Sequence, residues 1–301
     1  MEKAITIGEV VSCLDSLFLP ELQEDYDNAG FLLGNSGTKY HGALVALDLT
    51  PAVLEEALAE GLNLIVTHHP FIFTGLKRIT DRTEAGRMTM ALIENGIAVY
   101  AAHTNLDNLP WGVNGILSEK LGLQDARILR STPSPLRGTP PVPGGEQATQ
   151  SVCCPPETGE LSEGLRGGLA LNEIGAGMVG ELPRAMEADK FLLKVKELTR
   201  QPSIRTSAHN PKKKVKRIAL CGGAGSFLIS DAIAADADIF ITADLKYHDF
   251  QRGEGRIILA DAGHYETEQF AKEIIYRAIS EKFSNFACRI SENQESLVLY
   301  I

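Results

Sequence analysis

The chain has 301 residues, 44% hydrophobic and 23% charged, a balance typical of soluble globular proteins and long enough for a large core. Its formal charge of −10 argues against nucleic acid as a partner, because such binding leans on basic surface. Five cysteines (Cys13, Cys153, Cys154, Cys221 and Cys288) form an odd set without a C-x-x-C spacing, which argues against a disulfide framework and fits a reducing cytoplasm.

The N-terminal residues Met1-Glu2-Lys3-Ala4-Ile5 lack the basic start and apolar core of a signal peptide. No run approaches the roughly 20 apolar residues of a membrane span. Ala43–Leu47 reads as a strand. Thr50 is a good N-cap and Pro51 suits the first helical position, with Val53, Leu54 and Ala57 at helical spacing and Gly61 as the stop. Leu62–Val66 is the next strand, completing a βαβ unit that implies parallel pairing. A helix over Thr83–Glu94 and a strand over Ile97–Ala102 follow.

Seven of the 14 prolines fall within residues 131–156, so 131–165 reads as an exposed inserted loop. Beyond it the alternation resumes. Strands are expected over Lys216–Cys221, Ile239–Thr242 and Arg256–Ala260, a helix over 226–236, a long helix over Thr267–Phe283, and a last strand over Leu297–Tyr300. The fold class is therefore α/β, with two α/β lobes (1–130 and 166–301) and mostly parallel sheets.

Three strand ends carry metal-ligand chemistry: Thr67-His68-His69-Pro70, His103-Thr104-Asn105-Leu106-Asp107-Asn108, and Asp261-Ala262-Gly263-His264-Tyr265-Glu266-Thr267-Glu268. In open α/β sheets, ligands bind beyond the carboxyl ends of strands. Adjacent His68 and His69 would point to opposite faces of a regular strand, so at a bending strand end they suit two neighbouring metals. His103 with Asp107, and His264 with Glu268, stand four residues apart, one helical turn. Imidazole with carboxylate favours Zn, Fe, Mn or Co over Ca or Mg. Two such ions about 3.5–4 Å apart clamp an oxygen or phosphate and supply hydroxide near neutral pH. The pattern points to a metal site, with two divalent ions in a cleft. His248, after a strand, stands as a lining residue of the same cleft or as a structural one.

Two glycine motifs are decoys. Gly175-Ala176-Gly177-Met178-Val179-Gly180 fits G-x-G-x-x-G, but Pro183 follows soon and the stretch about 20 residues on is rich in Lys and Leu. Gly222-Gly223-Ala224-Gly225 lacks the lysine of a phosphate-binding loop and reads as a tight packing turn.

Taken in order, Tyr26-Asp27-Asn28-Ala29-Gly30-Phe31-Leu32-Leu33-Gly34, His-His-Pro at 68–70, His-Thr-Asn-Leu-Asp-Asn at 103–108, Ile241-Thr242-Ala243-Asp244 with Lys246-Tyr247-His248, and Gly263-His264-Tyr265-x-x-Glu268 resemble the NIF3-like family, also called GTP cyclohydrolase I type 2. Tyr26 stands where that family usually has Trp, and Ala243 where it has Gly; neither is a ligand. The resemblance implies a di-metal centre between two α/β domains, ligated by His68, His69, Asp107, His264 and Glu268, with the metal identity (Fe, Zn or Mn) open. His103 and His248 are then the proton-shuttling candidates, and Lys77, Arg78 or Lys246 the candidates for a triphosphate. It also implies a homo-hexamer. The implied activity is hydrolysis of GTP at C8 with release of formate. The alternatives are a metal-dependent phosphoesterase, or a metal-containing interaction or scaffold protein without turnover.

Overall fold

The strands, in chain order, are β1 (Gly30–Leu33), β2 (Gly42–Ala46), β3 (Leu64–Thr67), β4 (Ala98–Ala101), β5 (Gln124–Thr132), β6 (Ile174–Glu187), β7 (Arg205–Thr206), β8 (Lys214–Ala224), β9 (Ile239–Ala243), β10 (Ile258–Asp261) and β11 (Ala287–Ile290). Those buried along their length, β2, β3, β4, β9 and β10, are the mainly aliphatic runs. The computed structural model describes residues 4–132, 174–294 and 296–301. Most of the expected loop, 133–165, lies outside the described residues, while Ser131 and Thr132 end β5.

The described residues fall into two units. The first comprises 4–106 and 271–294. Its sheet runs β1-β4-β3-β2-β11, with β11, β2, β3 and β4 mutually parallel and β1 antiparallel at the edge. The βαβ reading holds in detail. The Thr50 side chain caps the helix Pro51–Ala59 by accepting from the Val53 N–H at 3.3 Å. Val53, Leu54 and Ala57 then bury against Leu44, Ala46, Ile65 and Val99 of the sheet. β2, β3 and β4 are buried along their whole length, as a parallel sheet covered on both faces requires.

The second unit comprises 107–132, 174–270 and 296–301. Its sheet runs β5-β6-β8-β9-β10-β7. β8, β9 and β10 are parallel, but β5–β6, β6–β8 and β10–β7 are antiparallel. This sheet is therefore mixed rather than mostly parallel. Phe240, Leu259, Ala219 and Leu228 form its core.

The units differ from a division at residues 130 and 166 because 107–130 belongs to the second unit and 271–294 to the first. The last strand is Ala287–Ile290, paired with β2, and Leu297–Tyr300 is exposed and outside any strand. The expected helix over Thr267–Phe283 is two helices, His264–Glu268 and Ala271–Lys282. Between them the Gln269 side chain donates to the carbonyls of Thr199 (2.8 Å) and Glu266 (2.9 Å). The G-x-G-x-x-G segment lies inside β6, between two antiparallel neighbours, not at a strand-to-helix turn. Pro183 sits in the same strand where the register with β8 shifts, a place where a missing N–H costs no ladder bond. Among the described residues, no helix is long and apolar enough to cross a membrane.

Candidate metal centre

In the first unit, backbone pairing carries the sheet two residues past β3: the His68 N–H donates to the Ala46 carbonyl (3.2 Å) and the His69 N–H to the Leu47 carbonyl (2.9 Å). The chain then bends, with the Thr67 hydroxyl donating to the His69 carbonyl at 2.7 Å. The bend overrides strict alternation, and the two rings come to the same place. The ring centroids of His68 and His69 are 5.0 Å apart, and that of His103 is 5.3 Å from the first and 5.6 Å from the second. One nitrogen from each of the three lies within 4.8 Å of the others.

Each of these imidazoles is oriented through Nδ1. His68 Nδ1 is 2.7 Å from the Ala102 carbonyl oxygen. His69 Nδ1 is 2.7 Å from Asp48 Oδ1, and His103 Nδ1 is 2.7 Å from Asp27 Oδ1. A carbonyl or an ionised carboxylate only accepts, so Nδ1 must carry the proton. In the neutral ring the lone pair then sits on Nε2. That is the usual arrangement behind a metal-ligating histidine, which passes its other N–H to a carboxylate or carbonyl.

Asp27 is a second anchor. Burial pushes its carboxyl up, but hydrogen bonds from His103, the Thr104 hydroxyl and the Asn28 N–H, with the nearby His103 charge, outweigh that and hold it at about 2. A depressed carboxyl contributes stability that is present above its unfolded value near 3.8 and lost as pH falls through about 2. Its side chain is fully buried, so the contribution is about 2 kcal/mol. We expect Asp27→Asn to lower the unfolding free energy by about that amount at pH 6. Urea titrations from pH 6 to pH 2 check this. The gap between the two proteins narrows as pH falls below 4, whereas a constant gap would assign the loss to packing alone.

In the second unit, His264 and Glu268 occupy one turn of the short helix after β10, with His264 Nε2 3.0 Å from Glu268 Oε2. His264 Nδ1 is held 2.7 Å from Asp244 Oδ2, repeating the arrangement of the first unit. Asp107 and Glu268 each present a carboxylate oxygen within 4.8 Å of the other. Two carboxylates this close repel unless a cation or a proton sits with them. The buried Cys221 thiol responds: burial raises its pKa, and the charges of Asp107 and Glu268 raise it further.

The glycine turn at the end of β8 makes room for Glu268. Gly223 has φ +60°, its N–H donates to the Thr267 hydroxyl (3.0 Å), and its carbonyl accepts from the Thr242 hydroxyl (2.9 Å). A side chain at Gly223 would collide with the Glu268 carboxylate. Asn114 ties the same turn to the Asp107 backbone. It accepts from the Gly222 N–H (2.8 Å) and donates to the Asp107 carbonyl (3.2 Å). The packing reading of this turn is the one the geometry favours.

His68, His69 and His103 therefore converge in one unit, and Asp107, His264 and Glu268 in the other. His248 is exposed, with its ring 5.3 Å from that of Tyr247, and it belongs to none of the donor groups among the described residues. Lys77, Arg78 and Lys246 are exposed. Asp261, in the same segment as His264, holds the loop after β9: it accepts from the N–H groups of Leu245 (3.0 Å) and Gly263 (3.2 Å) and pairs with Arg205. Sequence reasoning missed Asp48, Asp27 and Asp244 as orienting groups. Their one visible signal is position, since Asp48 and Asp244 directly follow the ends of buried strands.

Among the described residues the donors in each unit are imidazole nitrogens and carboxylate oxygens with no thiolate, a set that suits transition metals. These clusters could hold a metal ion.

The chain is similar to known proteins over nearly its whole length. A family model described as Duf34/NIF3 (NGG1p interacting factor 3) matches residues 5–296. A Streptomyces coelicolor protein named GTP cyclohydrolase 1 type 2 homolog is 31% identical over 264 residues, covering 87% of this chain and 81% of that one. A Clostridium acetobutylicum protein of the same name is 28% identical over 268 residues, covering 88% and 86%. Among solved structures, a Bacillus cereus protein related to NIF3 superposes with a TM-score of 0.82 at 24% identity over 100% of both chains. A Staphylococcus aureus hypothetical protein gives 0.81 at 25% identity, covering 99% of this chain and 100% of that one.

Proposed function

We propose, from the premise that this chain belongs to the Duf34/NIF3 family, that it is a nucleotide hydrolase dependent on two divalent metals, with GTP as the substrate. His68, His69, Asp107, His264 and Glu268 hold the ions. The observation that carries the reading is shared by His68, His69 and His264: each places Nδ1 2.7 Å from an oxygen acceptor, which leaves Nε2 for a cation. When bound, such ions supply Lewis acidity and make water acidic enough to yield hydroxide near neutral pH.

The protein's own groups do the rest. His103, oriented by buried Asp27, moves the proton at the reacting ring, and it suits that role better than exposed His248, which has no such anchor. Asp48 and Asp244 keep His69 and His264 from rotating out of place. Lys77, Arg78 and Lys246 offer positive charge to a triphosphate. The overall reaction consumes GTP and one water and yields formate and dihydroneopterin triphosphate. The name that the curated relatives carry supports GTP as the substrate. Assembly as a homo-hexamer, in a cytoplasmic setting, belongs to the same proposal.

The test is turnover of GTP by protein loaded in turn with Fe, Zn and Mn, with formate and phosphate both measured. The reading predicts formate stoichiometric with GTP consumed. Phosphate without formate would make the chain a phosphoesterase. Neither product, with metals firmly bound, would make it an interaction or scaffold protein.

A further inference from the structure

We infer that Tyr26 and Phe73 form a stacking platform, beside His103, for the planar ring of the substrate. This rests on the nucleotide reading above and says how the base is held. Three consecutive residues build the arrangement. Tyr26 packs on Phe73 with ring centroids 6.5 Å apart. Asp27 Oδ1 accepts a hydrogen bond from His103 Nδ1 at 2.7 Å. Asn28 donates from Nδ2 to the Ile72 carbonyl at 2.5 Å, fixing the loop that carries Phe73. Phe73 in turn meets the His103 ring edge to face, with centroids 6.1 Å apart and planes at 77°.

Both aromatic rings are largely open to solvent, Tyr26 at 66% and Phe73 at 46%. The core does not need them: Phe71, two residues before Phe73, is the one that packs against it. Exposed aromatic rings grouped with further exposed apolar residues of the same loop, Leu76 and Ile79, mark a binding surface more often than a structural one. The chemistry narrows the ligand. An exposed aromatic face accepts a flat ring by offset stacking, and every nucleobase has such a face. The platform touches His103, so a ring resting there lies next to the imidazole cluster.

Calorimetry with the metal-loaded full chain tests this, using 7-deaza-GTP, which keeps a flat fused ring but has no imidazole to open. Inorganic tripolyphosphate serves as the ring-free control. Tyr26→Ala and Phe73→Ala are expected to weaken 7-deaza-GTP roughly five- to a hundredfold, the range carried by one lost base–aromatic stack. Tyr26→Phe is expected to bind like the parent, and tripolyphosphate to bind all four proteins equally, with metal content unchanged. Equal 7-deaza-GTP affinity across the set, or no binding by the parent protein, overturns the platform. Ring-dependent binding without formate release from GTP would instead leave the platform standing and remove the cyclohydrolase reading.

Discussion

Under the proposed two-metal function, Glu268→Gln is expected to lower bound metal from two ions per chain to one or fewer, and to cut turnover by about a hundredfold or more. The substitution keeps the size and removes one charge from a side chain that is only 5% exposed, 3.0 Å from His264 Nε2. The effect on stability has an opposite sign in the two metal states. Without metal, Glu268 and Asp107 hold their oxygens within 4.8 Å, and that repulsion is relieved when one becomes an amide. In chelator, the variant therefore melts at or above the parent's temperature. With metal in excess the order reverses, because a ligand held at about a hundred times its dissociation constant adds about 2.7 kcal/mol to the parent. Thermal melts in chelator and in excess metal, beside elemental analysis, check both halves. A variant less stable than the parent by the same margin in both conditions would mean that Glu268 is a structural group.

Gly223→Ala is expected to damage both stability and metal binding. Two costs combine. At φ +60° a β-carbon costs roughly 1–2 kcal/mol. It would also collide with the Glu268 carboxylate and stand 3.3 Å from the His264 ring. The backbone cannot retreat easily, since Thr267 and Thr242 fix both polar groups of Gly223. Gly61→Ala is the matched control: its φ is +66°, and a β-carbon there meets nothing within 4 Å. Denaturant titrations and metal-binding isotherms compare them. Gly61→Ala loses only the conformational cost, while Gly223→Ala loses more stability and more than about tenfold in metal affinity. Identical losses in the two would deny that the turn is shaped around Glu268.

Much of the first unit could be read from the chain because its signals are local. Thr50-Pro51 marks a helix start, Leu64–Thr67 and Ala98–Ala101 are uninterrupted apolar runs, and both end at histidines. The i, i+4 pair His264–Glu268 was legible for the same reason. The orienting carboxylates were not, because they come from other segments: Asp48 lies 21 residues from His69, and Asp27 lies 76 from His103. The edge strand Ala287–Ile290 was missed because its side chains alternate between exposed and half-buried and include Arg289 and Cys288. The more apolar Leu297–Tyr300 looked the better strand, yet it is exposed. A strand at an edge is fixed by its one neighbour, here β2, more than by its own composition. The last helix reads as continuous in the sequence because no Gly or Pro interrupts Thr267–Phe283. Nothing local reveals that Gln269 turns back to bond the Thr199 carbonyl, 70 residues away.

Anomalous diffraction from crystals of the metal-loaded protein tests the account's central claim most directly. The proposed function predicts two metal positions ligated through Nε2 of His68, His69 and His264, with oxygens of Asp107 and Glu268, at about 2.0–2.2 Å. Peaks bonded to Nδ1 atoms, or metal bound elsewhere while these five side chains keep their present partners, would contradict it.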